Sequence, residues 1–272
     1  LPTARLGAVL FKNRFLTGIL LLLPIVGFIP LHSRLIQSSK AAQASRVDEA
    51  SEATQTSGPE QASSAELAIA PVSQFKALLK QAPRINPRAL QMALTALQRV
   101  QATGTRVRSD VLMVIDYAKP STEPRLWVFD LKKTRVLFEE LVAHGRNSGD
   151  NRAVRFSNEP GSLMSSLGVF LTADTYIGKH GLSLRLQGLE KGINDNSMSR
   201  AVVIHAADYV SQSMSRVRGR IGRSWGCPAV RPEISRKLIE TVQGGTLLLA
   251  YYPESSWLGS SRLAGGVRAP QG

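Results

Sequence analysis

From Val111 onward the chain alternates short apolar runs with polar turns, the pattern of a domain built from strands. Val111 to Ile115 is apolar at every position and predicts a strand buried on both faces. Runs at Leu126–Leu131 and Arg135–Val142 predict two more, with Asp130–Thr134 as the hairpin turn between them. Further strands are expected at Gly168–Thr172, Leu182–Leu186, Ala201–His205 and Thr246–Tyr252. One clearly amphipathic helix, Pro232–Val242, precedes the last of these, and Gly244-Gly245 supplies its stop. Upstream, Phe75, Leu78, Leu79, Leu90, Ala93, Leu94 and Leu97 recur at steps of three and four. Pro83 and Pro87 divide this stretch into two helices, the first capped by Ser73 and the second opened by Asn86-Pro87. The expected class is mostly β, a sandwich with few helices preceded by a short helical segment.

Outside that body the pattern changes twice. Residues 15–29 form an uncharged apolar run behind Arg5, Lys12 and Arg14, which predicts an export signal or an uncleaved signal-anchor. A small-residue Ala42-Gln43-Ala44 step follows it late. Residues 45–72 are rich in Ser, Ala, Gln and Glu and have linker composition. The plan is therefore export segment 1–44, linker 45–72, helical lead-in 73–105, main domain 106–253 and loose tail 254–272. The expected place of work is the periplasm or cell envelope, with membrane anchoring by the first segment if it is retained.

Charge sharpens this picture. The chain of 272 residues carries 34 basic and 20 acidic residues, net +14, and a basic surplus remains beyond the N-terminal segment. Such a surplus favours an anionic partner. Nucleic acid is disfavoured by the export segment and by the lack of interleaved basic and aromatic residues. No cofactor is implied, and a metal hydrolase is disfavoured because the histidines lack ligand spacing and there is no cysteine pair.

One cysteine excludes an internal disulfide and every multi-cysteine metal site. Cys227 lies in Gly222-Arg-Ser-Trp-Gly-Cys-Pro-Ala229, with Arg216, Arg218, Arg220 and Arg223 before it and Arg231 after. Cations and a glycine loop are what a reactive thiol needs, whereas a core cysteine needs neither. Gly226 permits an unusual backbone angle, and the Gly226–Cys227 amides are expected to form an oxyanion hole. His205 ends the apolar run Ala201–Ile204, a rigid support for a base. No third carboxylate is evident beyond Asp208, so a backbone carbonyl is expected to orient the imidazole. His144 closes another strand and opens the Gly- and Ser-rich loop 144–168, while His180 has no such support. Long polar loops of this kind are more often functional than accidental.

The stretch from His205 to Val230 resembles the active-site signature of the YkuD-like L,D-transpeptidase catalytic domains, a histidine closing one strand and then Ser-X-Gly-Cys. Here those positions are His205 and Ser224-Trp225-Gly226-Cys227, and the run is similar to the subgroup with Trp-Gly-Cys-Pro-Ala. The resemblance extends over about residues 110–253, including Arg125–Leu131, His144-Gly145, Ser148–Asn151, Ser165–Gly168, Tyr176–Gly181, Asn194–Asn196 and Tyr251–Pro253. It differs from many members in carrying Trp225 before the glycine and Ala206 after the base.

The resemblance implies a β-rich sandwich and acyl transfer on peptidoglycan stem peptides. Cys227 would be the nucleophile, His205 the base, Gly226 with Cys227 the oxyanion site, and Ser224 a shaper of the loop. Arg223 and Arg231 suit stem-peptide carboxylates, and Trp225, His144 and Asp208 complete the expected substrate contacts. Carbapenem-type β-lactams should then acylate Cys227. An L,D-carboxypeptidase would use the same residues with water as acceptor, and a non-catalytic wall-binding module would not need the thiol.

Overall fold

The computed structural model describes residues 72–266; the export segment and nearly all of the expected linker lie outside the described residues. Two helices come first, α1 (Val72–Gln81) and α2 (Pro87–Ala102). Asn86 caps α2, its side chain accepting from the Arg88 amide at 2.9 Å, and Pro87 takes the first helical position. Ser73 falls inside α1 instead of capping it. Phe75 and Leu78 of α1, and Leu90, Ala93, Leu94, Leu97 and Val100 of α2, enter the same core as the strands. The helical lead-in is thus packed into the main domain.

Eight strands follow: β1 (Val111–Asp116), β2 (Leu126–Asp130), β3 (Arg135–Glu140), β4 (Gly168–Gly178), β5 (Gly181–Gly188), β6 (Val203–Ala206), β7 (Ala229–Val230) and β8 (Leu247–Tyr251). All are hydrogen-bonded into one sheet of order β3-β2-β1-β8-β4-β5-β6-β7. The mostly-β class is as expected. β1 is buried at every residue because it lies inside the sheet, antiparallel to β2 and parallel to β8. The turn between β2 and β3 closes where the Lys133 amide donates to Asp130 Oδ1 at 3.0 Å.

Three further helices are α3 (Gln212–Arg218), α4 (Pro232–Val242) and α5 (Ser255–Ser260). The apolar pattern marks α4 to the residue and leaves α3 unmarked, since α3 buries only Ser215 and leaves Val217 exposed. Ser211 caps α3 by accepting from the Met214 amide at 3.1 Å. The expected loose tail is corrected over residues 254–266, and its last six residues lie outside the described residues. Trp257 of α5 is buried edge-on against Tyr251, and Arg99 ties down the carbonyls of Arg262, Leu263 and Gly265.

Two features of this fold position the site. β4 runs for 11 residues, past its buried half and across an irregularity between Thr172 and Thr175, so its hairpin with β5 projects beyond the core. The tip of that hairpin is Lys179-His180. β6 and β7 pair in parallel with His205 opposite Ala229, and a small cluster of Leu141, Ala143, Ala207, Val210, Ile221 and Ala229 packs beneath them.

Candidate active site

Cys227 is half-buried in the loop between α3 and β7. Its Sγ lies 3.6 Å from the Ala201 carbonyl, beside the start of β6. The Val203 amide also faces the sulfur, one two-residue step along the strand from His205. Burial pushes the thiol pKa up, while the Val203 amide and the Arg200 guanidinium pull it partly back. At neutral pH the resting group is therefore the thiol, and it needs a base.

His205, on the adjacent strand β6, is the candidate for that base. It is buried on β6, and its Nδ1 faces the Ala206 carbonyl at 2.8 Å. A carbonyl only accepts, so Nδ1 carries the proton and Nε2 of the neutral ring is free to receive another. The orienting carbonyl is the backbone partner that the sequence suggests. Burial lowers the His205 pKa, the Ala206 carbonyl opposes this, and the charges of His180 and Lys179 add to the lowering. The pair at rest is neutral thiol and neutral imidazole.

Ser224 and Gly226 hold the loop. Ser224 is buried; its Oγ donates to the Cys227 carbonyl at 2.6 Å and accepts from the Gly226 amide at 3.1 Å. Its own amide donates to the His144 carbonyl at 2.9 Å. Gly226 sits at φ +129°, and a Cβ there would lie 2.7 Å from the Met164 carbonyl oxygen. The expected oxyanion pair needs correction. The Gly226 N–H is already engaged by Ser224, whereas the Cys227 N–H donates to no described residue. The Cys227 amide is the donor left for an oxyanion.

The polar loop 144–168 is the bed on which this turn rests. Ser165 Oγ donates to the Gly226 carbonyl at 3.1 Å and accepts from the Gly145 amide, and Ser148 Oγ accepts from the Ser165 amide. Arg200 stitches the loop from the other side. It donates to Ser157 O and Met164 O at 2.7 Å each and to Ser166 Oγ at 2.5 Å.

The expected substrate contacts divide. Trp225 is exposed beside Cys227, with Lys179 Nζ 5.4 Å from its ring centre. Asp208 is exposed in the turn after β6 and takes no part in the hydrogen bonding around Cys227. Three assignments are corrected. Arg231 is held bidentate by Glu140, at 2.9 and 2.7 Å, so its fork is already filled. Arg223 donates to the Gly149 and Arg146 carbonyls and meets Asp150 at 3.4 Å. His144 is fully buried, its Nδ1 receiving Arg125 Nη2 at 2.7 Å, and burial with that neighbouring charge drives its pKa down to about 3. It is a neutral structural ring with no route to a substrate.

Arg200 and His180 carry no role on sequence alone. The first is a lone basic residue in a polar turn, with nothing in its spacing to mark it. The second stacks on His205, ring centres 4.4 Å apart. Tyr209 was also without a role, although burial and the charge on Cys227 push its phenol up to about 12.

A family model described as the L,D-transpeptidase catalytic domain matches residues 81–251. No curated protein matches. Among solved structures, an L,D-transpeptidase from Mycobacterium smegmatis is 15% identical with a TM-score of 0.33, covering 53% of this chain and 59% of that one. An L,D-transpeptidase from Stackebrandtia nassauensis is 14% identical with a TM-score of 0.31, covering 66% and 77%. A mutant L,D-transpeptidase from Enterococcus faecium is 15% identical with a TM-score of 0.31, covering 58% and 63%.

Proposed function

The chain belongs to the L,D-transpeptidase catalytic domain family, its model matching well over half of the sequence, and from that premise we propose that it joins peptidoglycan stem peptides through a thioester on Cys227. The observation that carries this reading is the neutral pair: a thiol set beside β6, and a histidine on that strand whose Nδ1 is held by a carbonyl. We place the chain in the Trp-Gly-Cys-Pro-Ala subgroup on residues 225–229.

In the first half-reaction His205 Nε2 takes the thiol proton as Sγ attacks the carbonyl of a diaminopimelyl residue. The Cys227 N–H receives the developing oxyanion. As the tetrahedral species collapses, the C–N bond breaks and the imidazolium returns its proton to the departing amine of D-alanine. In the second, the amine of another stem attacks the thioester. His205 takes a proton from that amine and hands it to the departing thiolate, so both halves balance with no cofactor. Ser224 holds the Cys227 carbonyl and the Gly226 amide, and so fixes where the Cys227 N–H points. The exposed indole of Trp225 offers a surface to the donor. An exported enzyme of the cell envelope fits the apolar run at residues 15–29 and a substrate outside the membrane.

The test is incubation of the protein with a stem tetrapeptide and mass analysis of the peptides. A crosslinked dimer with release of D-alanine, both absent in Cys227→Ala, is the expected result. Shortened peptide without dimer would make the enzyme an L,D-carboxypeptidase. An unchanged tetrapeptide would remove the acyl-transfer reading.

A further inference from the structure

Beside the Cys227 loop lies a groove of about 640 Å³ lined by Arg146, Asn147, Tyr209, Arg218, Arg220 and Arg223. Four guanidiniums there face one carboxylate. Asp150 meets Arg220 at 2.8 Å and Arg223 at 3.4 Å. Arg146 and Arg218 are exposed and form no ion pair among the described residues. Gly222 keeps the groove tight, since a Cβ at that position would lie 2.4 Å from the Cβ of Tyr209.

The groove is close to the chemistry. Tyr209 lines it and also responds to charge on Cys227. Gly222 and Cys227 are five residues apart, so even a fully extended chain separates them by at most about 18 Å. A stem of three or four residues spans on the order of 10–14 Å. That span covers most of the greatest separation the chain allows, so a stem with one end in the groove reaches toward the cysteine loop.

We propose that this groove binds the carboxylates of the acceptor stem peptide. The inference rests on the acyl-transfer reading of Cys227. Guanidinium forks match carboxylates in shape and charge. The donor is held covalently through the second half-reaction, but the acceptor is never bonded to the enzyme. Its residence depends on non-covalent contacts alone, and Arg146 and Arg218 of the groove, which form no ion pair among the described residues, supply them.

The test uses a diaminopimelyl-containing stem tripeptide, which keeps the acceptor amine but lacks the D-alanine a donor must lose. The full chain carrying Cys227→Ala is titrated with it by calorimetry, alone and with Arg146→Ala and Arg218→Ala added. Both arginines are exposed, and Arg218→Glu alone serves as a second variant if the pair disturbs folding. The expected result is binding that weakens about tenfold or more in the variants, the loss of at least one charge-assisted contact. Absent binding, or binding indifferent to the substitutions, overturns the proposal. Inorganic phosphate bound with the same arginine dependence while the tripeptide is ignored also overturns it, in favour of a phosphate-bearing polymer. Because the titration needs no thiol, it gives an answer even if Cys227 forms no thioester.

Discussion

The ring of His180 stacks on that of His205, with centres 4.4 Å apart and planes inclined by 27°. The neighbouring Lys179 lies over Trp225, so one hairpin tip touches both His205 and the cysteine loop. Burial lowers the His205 pKa most, and the interaction with His180 and Lys179 at this tip lowers it further. A base works when unprotonated, so activity should persist below the ordinary histidine value of 6.5. In His180→Ala the acid limb of kcat/KM should move up toward that value, with a larger loss at pH 5.5 than at pH 7.5. An acid limb that stays in place would deny His180 this role.

Ser224→Ala removes the donor to the Cys227 carbonyl and leaves the buried Gly226 amide unpaired. The expected cost is about 1–3 kcal/mol of stability. A larger effect is expected on catalysis, since a misplacement of about 1 Å can cost on the order of 100-fold in rate. Gly226→Ala should be as damaging to folding, because alanine at φ +129° would also meet the Met164 carbonyl. Thermal melts and single-turnover acylation separate the two effects.

Arg231 acts on stability. Its bidentate pair with Glu140 joins the residue before α4 to the end of β3, with Glu140 mostly covered. Arg231→Ala should cost about 1 kcal/mol, lowering Tm by about 2–4 °C. The KM for stem peptide should not change. A raised KM with an unmoved Tm would return Arg231 to substrate binding.

His144 makes the fold acid-sensitive. Its pKa is lowered from 6.5 to about 3 in the folded state, so the unfolded chain binds a proton that the folded one refuses. Its contribution is complete above pH 6.5 and is lost as pH falls toward 3, at up to about 1.4 kcal/mol per pH unit. Denaturant titrations across that window should show the slope, and His144→Gln should flatten it.

What was legible in the sequence follows from what is local. β1, β2, β8 and α4 show as apolar runs or a helical stripe because each meets the core along its whole length. Cys227 and His205 stand out by residue type and flanks, and the structure brings both to β6. Long-range pairing is not legible. Glu140 fills the fork of Arg231 from 91 residues away, and Asp150 of the polar loop takes Arg223. Nothing near His144 tells that a loop of serines and glycines will bury it. α3 lacks a stripe, and α5 is fixed by one tryptophan packed on Tyr251.

In the proposed function, Cys227 is a nucleophile activated by His205. The most direct measurement is the intact mass of the protein after exposure to a carbapenem and, separately, to stem tetrapeptide. We expect one covalent adduct with each, absent in Cys227→Ala and slowed in His205→Gln by about 100-fold or more, the usual contribution of a general base. No adduct on a folded protein, or adducts that survive Cys227→Ala, would contradict the account and leave the thiol a structural group.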